Sequence, residues 1–311
     1  MRPTRIVLPT PFAVGPVNAY AFLDDPVTLV DPGPRYGPAQ EALLAAFDAI
    51  GLRRRDIRRI LLTHHHPDHT GYAPLLAAET GAEIVAHPDA IERIRSPLGD
   101  PEATRRELTR HGVPENILRA MDKELDRILS HVAPLAAADP IADGEKVRAG
   151  QDDLTAVLVP GHAPGHLAFY GPDYIVGGDV VIKGLTPNPI LEVDDSGRRK
   201  SLPEYVASLQ RLKSLPPLPI LSGHREIIED PAPEIAWNLR HIEERRERVL
   251  SALGQRRLQA FPLSQEFFPM RGGADPFLAL SEMLGHLDLL LERGLVEQIE
   301  DGDAILYGPT A

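Results

Sequence analysis

A dense group of metal-binding residue types most constrains what this chain can fold into. Four histidines and one aspartate lie within the six residues from His64 to His69. Neutral imidazole and carboxylate are ligands that borderline divalent metals such as zinc prefer. The segment before them, residues 59–63, is a short apolar run typical of a buried strand. A tag remnant or a surface histidine cluster would not follow a buried strand, so the sequence predicts a metal site.

The spacing of these side chains predicts which of them act together. In an extended chain, residues two apart point the same way, so His64 and His66 face one position and the residue between them faces away. Pro67 interrupts the extended chain and forces a turn. Asp68 and His69 follow this turn, and we expect them to reach a second position close to the first.

Three later segments each place a histidine or an aspartate after a predicted strand. Residues 160–166 form a turn, bracketed by glycine and proline, that presents His162. His166 opens the next strand and is expected to pack beside the site or to orient a ligand. Asp179 and His224 each end a further strand. One such residue alone is weak evidence, but the ordered series at strand ends is strong.

The pattern His64-x-His66-x-Asp68-His69 after an apolar strand resembles the signature of the metallo-β-lactamase superfamily. The later segments resemble the remaining motifs of this family in order, and the resemblance covers about residues 5–230. It implies seven ligands shared between two ions. They are His64, His66 and His162 for one ion, Asp68, His69 and His224 for the other, and Asp179 bridging both.

The resemblance also implies the chemistry of the site. Two divalent ions about 3.5–4 Å apart can share a hydroxide, because bound zinc lowers the pKa of water toward about 7. This metal-bridging hydroxide would attack an ester-like bond, with Asp68 orienting it or taking its proton. Zn2+ is the favoured ion, and Mn2+ and Fe2+ are the alternatives. Asp31, at the end of a strand, is expected to orient the histidine-rich loop by hydrogen bonding to imidazoles.

Local patterns in the first part of the chain predict short strands and amphipathic helices. The β-rich runs 5–8, 17–23 and 27–30, separated by proline, glycine and aspartate, are typical of antiparallel strands. Residues 38–51 have helical spacing and end at a glycine. The implied fold class is α/β, an αββα sandwich of the metallo-β-lactamase type.

Two segments depart from this rhythm and define the predicted domain organisation. A helical insertion is expected at about residues 96–135 within a catalytic domain that spans residues 1–230. Residues 231–311 show two long helical patterns and then a hairpin with an Asp-Gly turn. They resemble a small winged-helix-like α+β domain. The combination resembles the lactamase-beta-like protein 2 group, members of which have been associated with cleavage of single-stranded RNA.

Composition limits the expected partners and location. The chain has 311 residues, 43% of them hydrophobic, no cysteine and a net charge of −12. Without cysteine there are no disulfides and no thiolate ligands. No apolar run approaches the roughly 20 residues of a membrane helix, and no signal-peptide stretch follows the first residues. We therefore expect a cytoplasmic protein without a membrane partner.

Charge also bears on the C-terminal segment. Residues 231–311 carry 13 acidic and 8 basic side chains, a net charge that disfavours DNA because phosphate binding needs cations. The apolar face of its helices favours packing, a wall of the substrate site or a homodimer.

Several residues after the later motifs are candidate substrate contacts. Lys183 and Asn188 follow the fourth motif, and Arg225 follows the fifth, where the family commonly has glycine. The cluster Arg198-Arg199-Lys200 is a further basic candidate. Cations beside the metals would favour an anionic substrate.

The sequence leaves several functions open. A dinuclear hydrolase could act on a phosphodiester of single-stranded RNA, on a thioester as glyoxalase II does, or on a small ester or lactone. One tryptophan and 5% aromatic residues weaken the RNA hypothesis, since single strands bind by stacking. A non-enzymatic, metal-stabilised binding module is the alternative of another class. Ligands without cysteine at strand ends favour an open catalytic site over such a module.

Overall fold

A computed structural model of the chain describes residues 2–194, 197–268 and 272–310. The strands are β1 (Thr4–Leu8), β2 (Val17–Phe22), β3 (Thr28–Val30), β4 (Arg59–Leu61), β5 (Glu83–Ala86), β6 (Asp139–Pro140), β7 (Lys146–Ala149), β8 (Asp152–Leu158), β9 (Leu167–Tyr170), β10 (Ile175–Gly178), β11 (Val193–Asp194), β12 (Gly197–Arg198), β13 (Ile220–Ser222), β14 (Val296–Asp301) and β15 (Ala304–Pro309). The helices are α1 (Gly37–Ile50), α2 (Pro67–Thr70), α3 (Ala73–Thr80), α4 (Pro88–Arg95), α5 (Pro101–Arg110), α6 (Glu115–Leu129), α7 (Ser201–Ser214), α8 (Pro231–Leu253), α9 (Ala260–Gln265) and α10 (Asp275–Glu292).

The first sheet changes from antiparallel to parallel along its width. Its order is β1-β2-β3-β4-β5-β6. The first three strands pair antiparallel, as the short turn-separated runs predict, and the next three pair parallel. Parallel neighbours need a long crossover, and α1 and α3 lie in the crossovers before β4 and β5. The parallel part directs the carboxyl end of β4 to one edge of the sheet.

The second sheet places the later motifs beside one another. Its order is β13-β10-β9-β8-β7, with β10 and β13 parallel. A shared core fills the space between the two sheets, including Tyr20, Leu61, Phe169 and Val176. Two sheets packed face to face, with helices outside, are the αββα sandwich that the sequence predicts. The fold class is therefore confirmed.

A second core fixes the helices on the outer face of the first sheet. α1 buries Leu43 and Phe47 there, as its 3.6-residue spacing predicts. Gly51 ends this helix at φ 70°, a left-handed conformation that glycine adopts at little cost. This packing holds β3 and β4 in place, and those strands lead into the candidate site.

The chain forms two compact units that interleave along the sequence. One contains the residues up to Pro97, Ile128–Pro187 and Ser208–Ile235, and the other contains Leu98–Arg127, Asn188–Ala207 and the residues from Ala236 onward. The second unit has its own core, built on α10 and the β14–β15 hairpin. The predicted boundary after residue 230 and the winged-helix assignment stay predictions.

Some elements have weak sequence signals. α5 and α6 confirm a helical segment inside the expected insertion, while α4, α9, β6 and β7 were not predicted. α4 begins at His87, whose Nδ1 accepts a hydrogen bond from the Asp89 N–H at 3.2 Å. A histidine used as a helix cap looks like any turn residue in the sequence. No helix of the described residues has the length and apolar character needed to cross a membrane.

Candidate metal centre

The candidate ligands all follow the ends of central strands. His64 and His66 lie in the loop after β4, and the next two candidates lie in α2, which Pro67 begins. The others lie in the loop after β8, directly after β10 and directly after β13. The ligand atoms form three overlapping groups, and within each group they lie within 4.8 Å of one another. These groups are His64, His66 and His162; His64, His69 and Asp179; and Asp68, His69 and His224.

The first group is a set of three imidazoles. The His64 Nε2 and His66 Nδ1 atoms are 3.0 Å apart. Two nitrogens bound to a tetrahedral zinc at about 2.0–2.1 Å would be separated by a similar distance. The ring of His162 lies within 5.2 Å of the His64 ring and 4.6 Å of the His66 ring, centroid to centroid. The alternation expected for an extended chain therefore brings His64 and His66 together.

The second group combines a carboxylate with two imidazoles. The Asp68 Oδ2 atom lies 3.3 Å from His224 Nε2. Asp179 lies between the two groups, since its Oδ2 is 3.7 Å from His162 Nε2 and 3.4 Å from His224 Nε2. Its Oδ1 is 3.4 Å from His69 Nε2. This position is the one that a carboxylate bridging two cations requires.

Buried polar atoms without partners test whether these residues fit a pair of metal ions. Among the described residues, the Nε2 atoms of His69 and His224 and the Oδ1 atom of Asp179 are buried and have no hydrogen-bond partner. Such groups are costly to bury unless something pairs with them. Cations at the two positions would pair with all of them, so the residues present fit a dinuclear centre.

Hydrogen bonds behind the ligands fix which imidazole nitrogen faces the centre. The Thr63 hydroxyl donates to Asp31 Oδ2 at 2.6 Å, so its oxygen accepts from His64 Nδ1 at 3.0 Å. His69 Nδ1 donates to Asp31 Oδ2 at 2.9 Å. Both histidines are left with Nε2 free to bind a cation. Asp31 thus holds the place that the sequence predicts for it, and its effect on the metals stays a prediction.

The charge states differ between the two groups. Burial lowers the pKa of His64 and of His66 well below the usual value, so both are neutral, as ligation requires. Burial also lowers the pKa of His69, but Asp179 and Asp31 outweigh it and raise that pKa well above its usual value. A cation bound there would replace this proton.

His166 is a buried residue whose role the sequence left open. Its Nε2 accepts a hydrogen bond from the Asp179 N–H at 3.1 Å, and its ring stacks on that of His64. Burial lowers its pKa to about 3, so the ring stays neutral and can accept this bond. His166 therefore orients the backbone of Asp179. Asn18, also buried, contacts the loop of His224, and no sequence motif marked it.

The residues predicted to contact substrate differ in exposure and in their hydrogen-bond partners. Lys183 is exposed at the tip of a turn, and the exposed Arg225 donates from Nη1 to the Lys183 carbonyl at 2.7 Å. Asn188 donates from Nδ2 to the Leu278 carbonyl on α10 at 2.9 Å. Its amide is thus engaged with a helix, while its role toward a substrate stays a prediction.

The basic cluster at residues 198–200 is engaged with carboxylates. Arg198 forms a two-pronged ion pair with Asp288, and the other two contact Glu204 and Glu292 at 3.1 and 3.5 Å. These cations have acidic partners within the second unit, and their role toward an anionic substrate stays a prediction.

Comparisons with known proteins agree with this geometry. The family model described as "Metallo-beta-lactamase superfamily" matches residues 13–224. The chain is 30% identical to "Probable metallo-hydrolase YqjP" of Bacillus subtilis (strain 168), covering 97% of this chain and 96% of that protein. The structure of a metallo-beta-lactamase family protein from Thermus thermophilus matches with a TM-score of 0.86 and 29% identity, covering 98% of both chains.

A third relative matches over part of its length. "Hydroxyacylglutathione hydrolase" of Fuscovulum blasticum is 28% identical over 60% of this chain and 54% of that protein. The chain thus spans about half the length of this relative.

The fold and site define a metal-dependent hydrolase built on two packed sheets. The chain belongs to the metallo-beta-lactamase superfamily. The resemblance to this superfamily stated from the sequence is confirmed, and the non-enzymatic binding module is set aside.

Proposed function

We propose that the chain is a dinuclear zinc hydrolase that cleaves a carboxylic thioester of small, anionic acyl carriers. The main support for a dinuclear centre is that buried Nε2 and carboxylate atoms without hydrogen-bond partners converge on two adjacent positions. Bound there, two divalent ions would lower the pKa of water and polarise the ester carbonyl. The proposed ligands are His64, His66, Asp68, His69, His162, Asp179 and His224.

The donor set favours zinc over harder ions. Five imidazoles and two carboxylates, with no thiolate, form the proposed centre. Imidazole suits zinc and iron, whereas magnesium and calcium prefer oxygen ligands. Zn2+ is the proposed ion, and Mn2+ and Fe2+ are the alternatives that metal analysis would distinguish.

Asp68 is the proposed proton acceptor. Burial raises the pKa of its carboxyl group, but the His224 imidazole 3.3 Å away and the charge of His69 outweigh burial and lower it. Asp68 is therefore ionised at neutral pH and can accept a proton from attacking water. Its side chain keeps 13% of its exposure, while His224 is almost fully buried, so water can reach the carboxylate.

The basic residues favour a small anion over a nucleic acid. Arg198, Arg199 and Lys200 are paired with carboxylates, so they do not form a phosphate-binding track. Lys183 and Arg225 are exposed cations on the loops that follow Asp179 and His224. Few aromatic residues are present to stack on bases. Similarity to a hydroxyacylglutathione hydrolase supports the thioester further.

A substrate comparison tests this proposal. The zinc-loaded protein is assayed with a hydroxyacylglutathione thioester and, in parallel, with a labelled single-stranded RNA. We expect thioester hydrolysis and no RNA cleavage. Asp179→Asn should reduce hydrolysis by more than the roughly 10–100-fold that loss of a ligand's hydrogen-bond partner costs.

The control is Asp153→Asn, which alters an exposed carboxylate on β8 that pairs with Arg148; it should retain full activity. RNA cleavage without thioester turnover would replace the proposed substrate class. Turnover of neither substrate by protein with two ions bound would contradict the thioester proposal as well.

A further inference from the structure

Side chains of the β1–β2 hairpin hold the backbone of the loop that carries His224. Asn18 donates from Nδ2 to the Ser222 carbonyl at 2.8 Å and to the Arg225 carbonyl at 3.0 Å. Its own N–H donates to the Gly223 carbonyl at 2.7 Å. The carbonyls on both sides of His224 are thus bound by a single residue of another strand.

Arg5 reinforces this contact from the neighbouring strand. Its Nη2 donates to the Arg225 carbonyl at 2.6 Å, and its Nε donates to Asn18 Oδ1 at 2.9 Å. The second bond fixes the Asn18 amide with its oxygen toward Arg5 and its nitrogen toward the loop. Asn18 is buried and Arg5 half-buried. The bond from Asn18 to the Ser222 carbonyl is shielded from competing water, whereas the bond from Arg5 to the Arg225 carbonyl is exposed.

The backbone that they hold is in an unfavourable conformation. Arg225 has φ 58°, in the left-handed region that side chains other than glycine rarely adopt. Such a conformation persists where surrounding contacts enforce it. Here two donors bind the Arg225 carbonyl, and the Arg225 guanidinium donates to the Lys183 carbonyl.

The imidazole of His224 depends on the same hairpin. Its Nδ1 donates to the Pro16 carbonyl at 2.7 Å, and His224 forms an isolated bridge with Val17. This bond leaves Nε2 facing Asp68 and Asp179. The hairpin therefore sets the position of the loop and the orientation of the ring together.

We infer that Arg5 and Asn18 are positioning residues for the metal ion that Asp68, His69 and His224 would hold, called the second ion below. They act through the left-handed Arg225 backbone. This inference rests on the dinuclear centre proposed above. Neither residue is among the proposed ligands, and His64, His66 and His162, the proposed ligands of the first ion, lie on other loops. Their loss should weaken one metal position and spare the other.

Metal binding by the full chain tests the inference without any substrate. Apo protein is titrated with Zn2+ against a chromophoric chelator, and native mass spectrometry counts the bound ions. Arg5→Met keeps the apolar stem and removes both donors. We expect this variant to bind the second ion about 10–100-fold more weakly, which is the usual cost of losing a hydrogen-bond partner of a ligand. Its affinity for the first ion should be unchanged.

Two further variants sharpen the test. Arg256→Met is the matched control, because Arg256 pairs with Glu266 within the second unit, whereas the loop of His224 belongs to the first; both ions should bind as in the wild type. Arg5→Met combined with Arg225→Gly should recover most of the lost affinity, since glycine adopts φ 58° without strain. If Arg5→Met does not fold, Tyr20→Phe replaces it in the same titration, because this variant removes a 2.7 Å hydrogen bond to the Ser222 carbonyl.

The outcomes separate the inference from the proposed centre. Wild-type protein that binds fewer than two ions would remove the dinuclear proposal itself. Two tightly bound ions in the wild type and in Arg5→Met alike would overturn the inference alone. Equal weakening of both ions would overturn it too, because that result indicates a general loss of structure.

Discussion

Asp31 is a buried carboxylate at φ 50° that contacts two parts of the metal-binding segment. It accepts hydrogen bonds from the Thr63 N–H at 2.9 Å, from the Thr63 hydroxyl and from His69. A single carboxylate thus fixes the start of the histidine-rich loop and the ring of a ligand farther along it. The negative charge of Asp31 also stabilises the partial positive charge that an imidazole gains when it binds a cation.

Asp31→Asn should lower zinc affinity by about 10–100-fold, because the amide cannot accept both the hydroxyl and the imidazole proton as strongly as a carboxylate. Asparagine tolerates the left-handed backbone, so the fold should persist. Chelator competition measures the affinity, and circular dichroism checks the fold. Unchanged affinity in a folded variant would show that Asp31 does not support the ligands.

Single site residues can be predicted from the sequence where several metal-binding residue types lie close together along the chain. His64, His66, Asp68 and His69 lie close together because a strand and a proline turn set their directions. Asn18 could not be predicted in the same way. It is an ordinary strand residue in the sequence, and its role arises because β2 lies against a loop more than two hundred residues later.

Helix α10 is notable for the titratable side chains that it buries. This helix buries Glu282, His286 and Asp288. Asp288 pairs with Arg198, whose side chain is 12% exposed, with both N···O distances at or below 2.7 Å. Breaking a buried pair leaves an uncompensated charge, whereas an exposed pair contributes little.

Asp288→Asn should therefore reduce the free energy of unfolding by about 3–5 kcal/mol. The matched control on the same helix is Glu292→Gln, whose partner Lys200 is 54% exposed at 3.5 Å. It should cost no more than about 1 kcal/mol. Urea denaturation followed by circular dichroism measures both. Similar losses in the two variants would show that burial does not set the strength of these pairs.

The elements themselves were predicted where periodicity is strong. α1 and the β14–β15 hairpin follow from a helical pattern ending at glycine and from an Asp-Gly turn. β6, with two residues, carries no pattern of its own and forms because β5 offers it an edge. The acidic partners of the cluster at residues 198–200 could not be predicted from the sequence, since residues such as Asp288 lie far away along the chain.

At the scale of the whole molecule, the two packed sheets explain why distant motifs form one site. β4 belongs to the first sheet, and β10 and β13 are neighbours in the second. The core between the sheets, which includes Leu61, Val176 and Leu221, holds these strands together. The family pattern predicted this arrangement, but the interleaving of two compact units along the chain had no sequence signal.

Zinc titration of the apo protein, with thioester hydrolysis as the readout, tests whether two bound ions are needed for hydrolysis. Activity should be absent after chelation, rise as Zn2+ is added and reach its plateau at two equivalents per chain, because both positions take part. Hydrolysis that persists in the chelated protein, or that reaches its plateau at one equivalent, would contradict a dinuclear hydrolase.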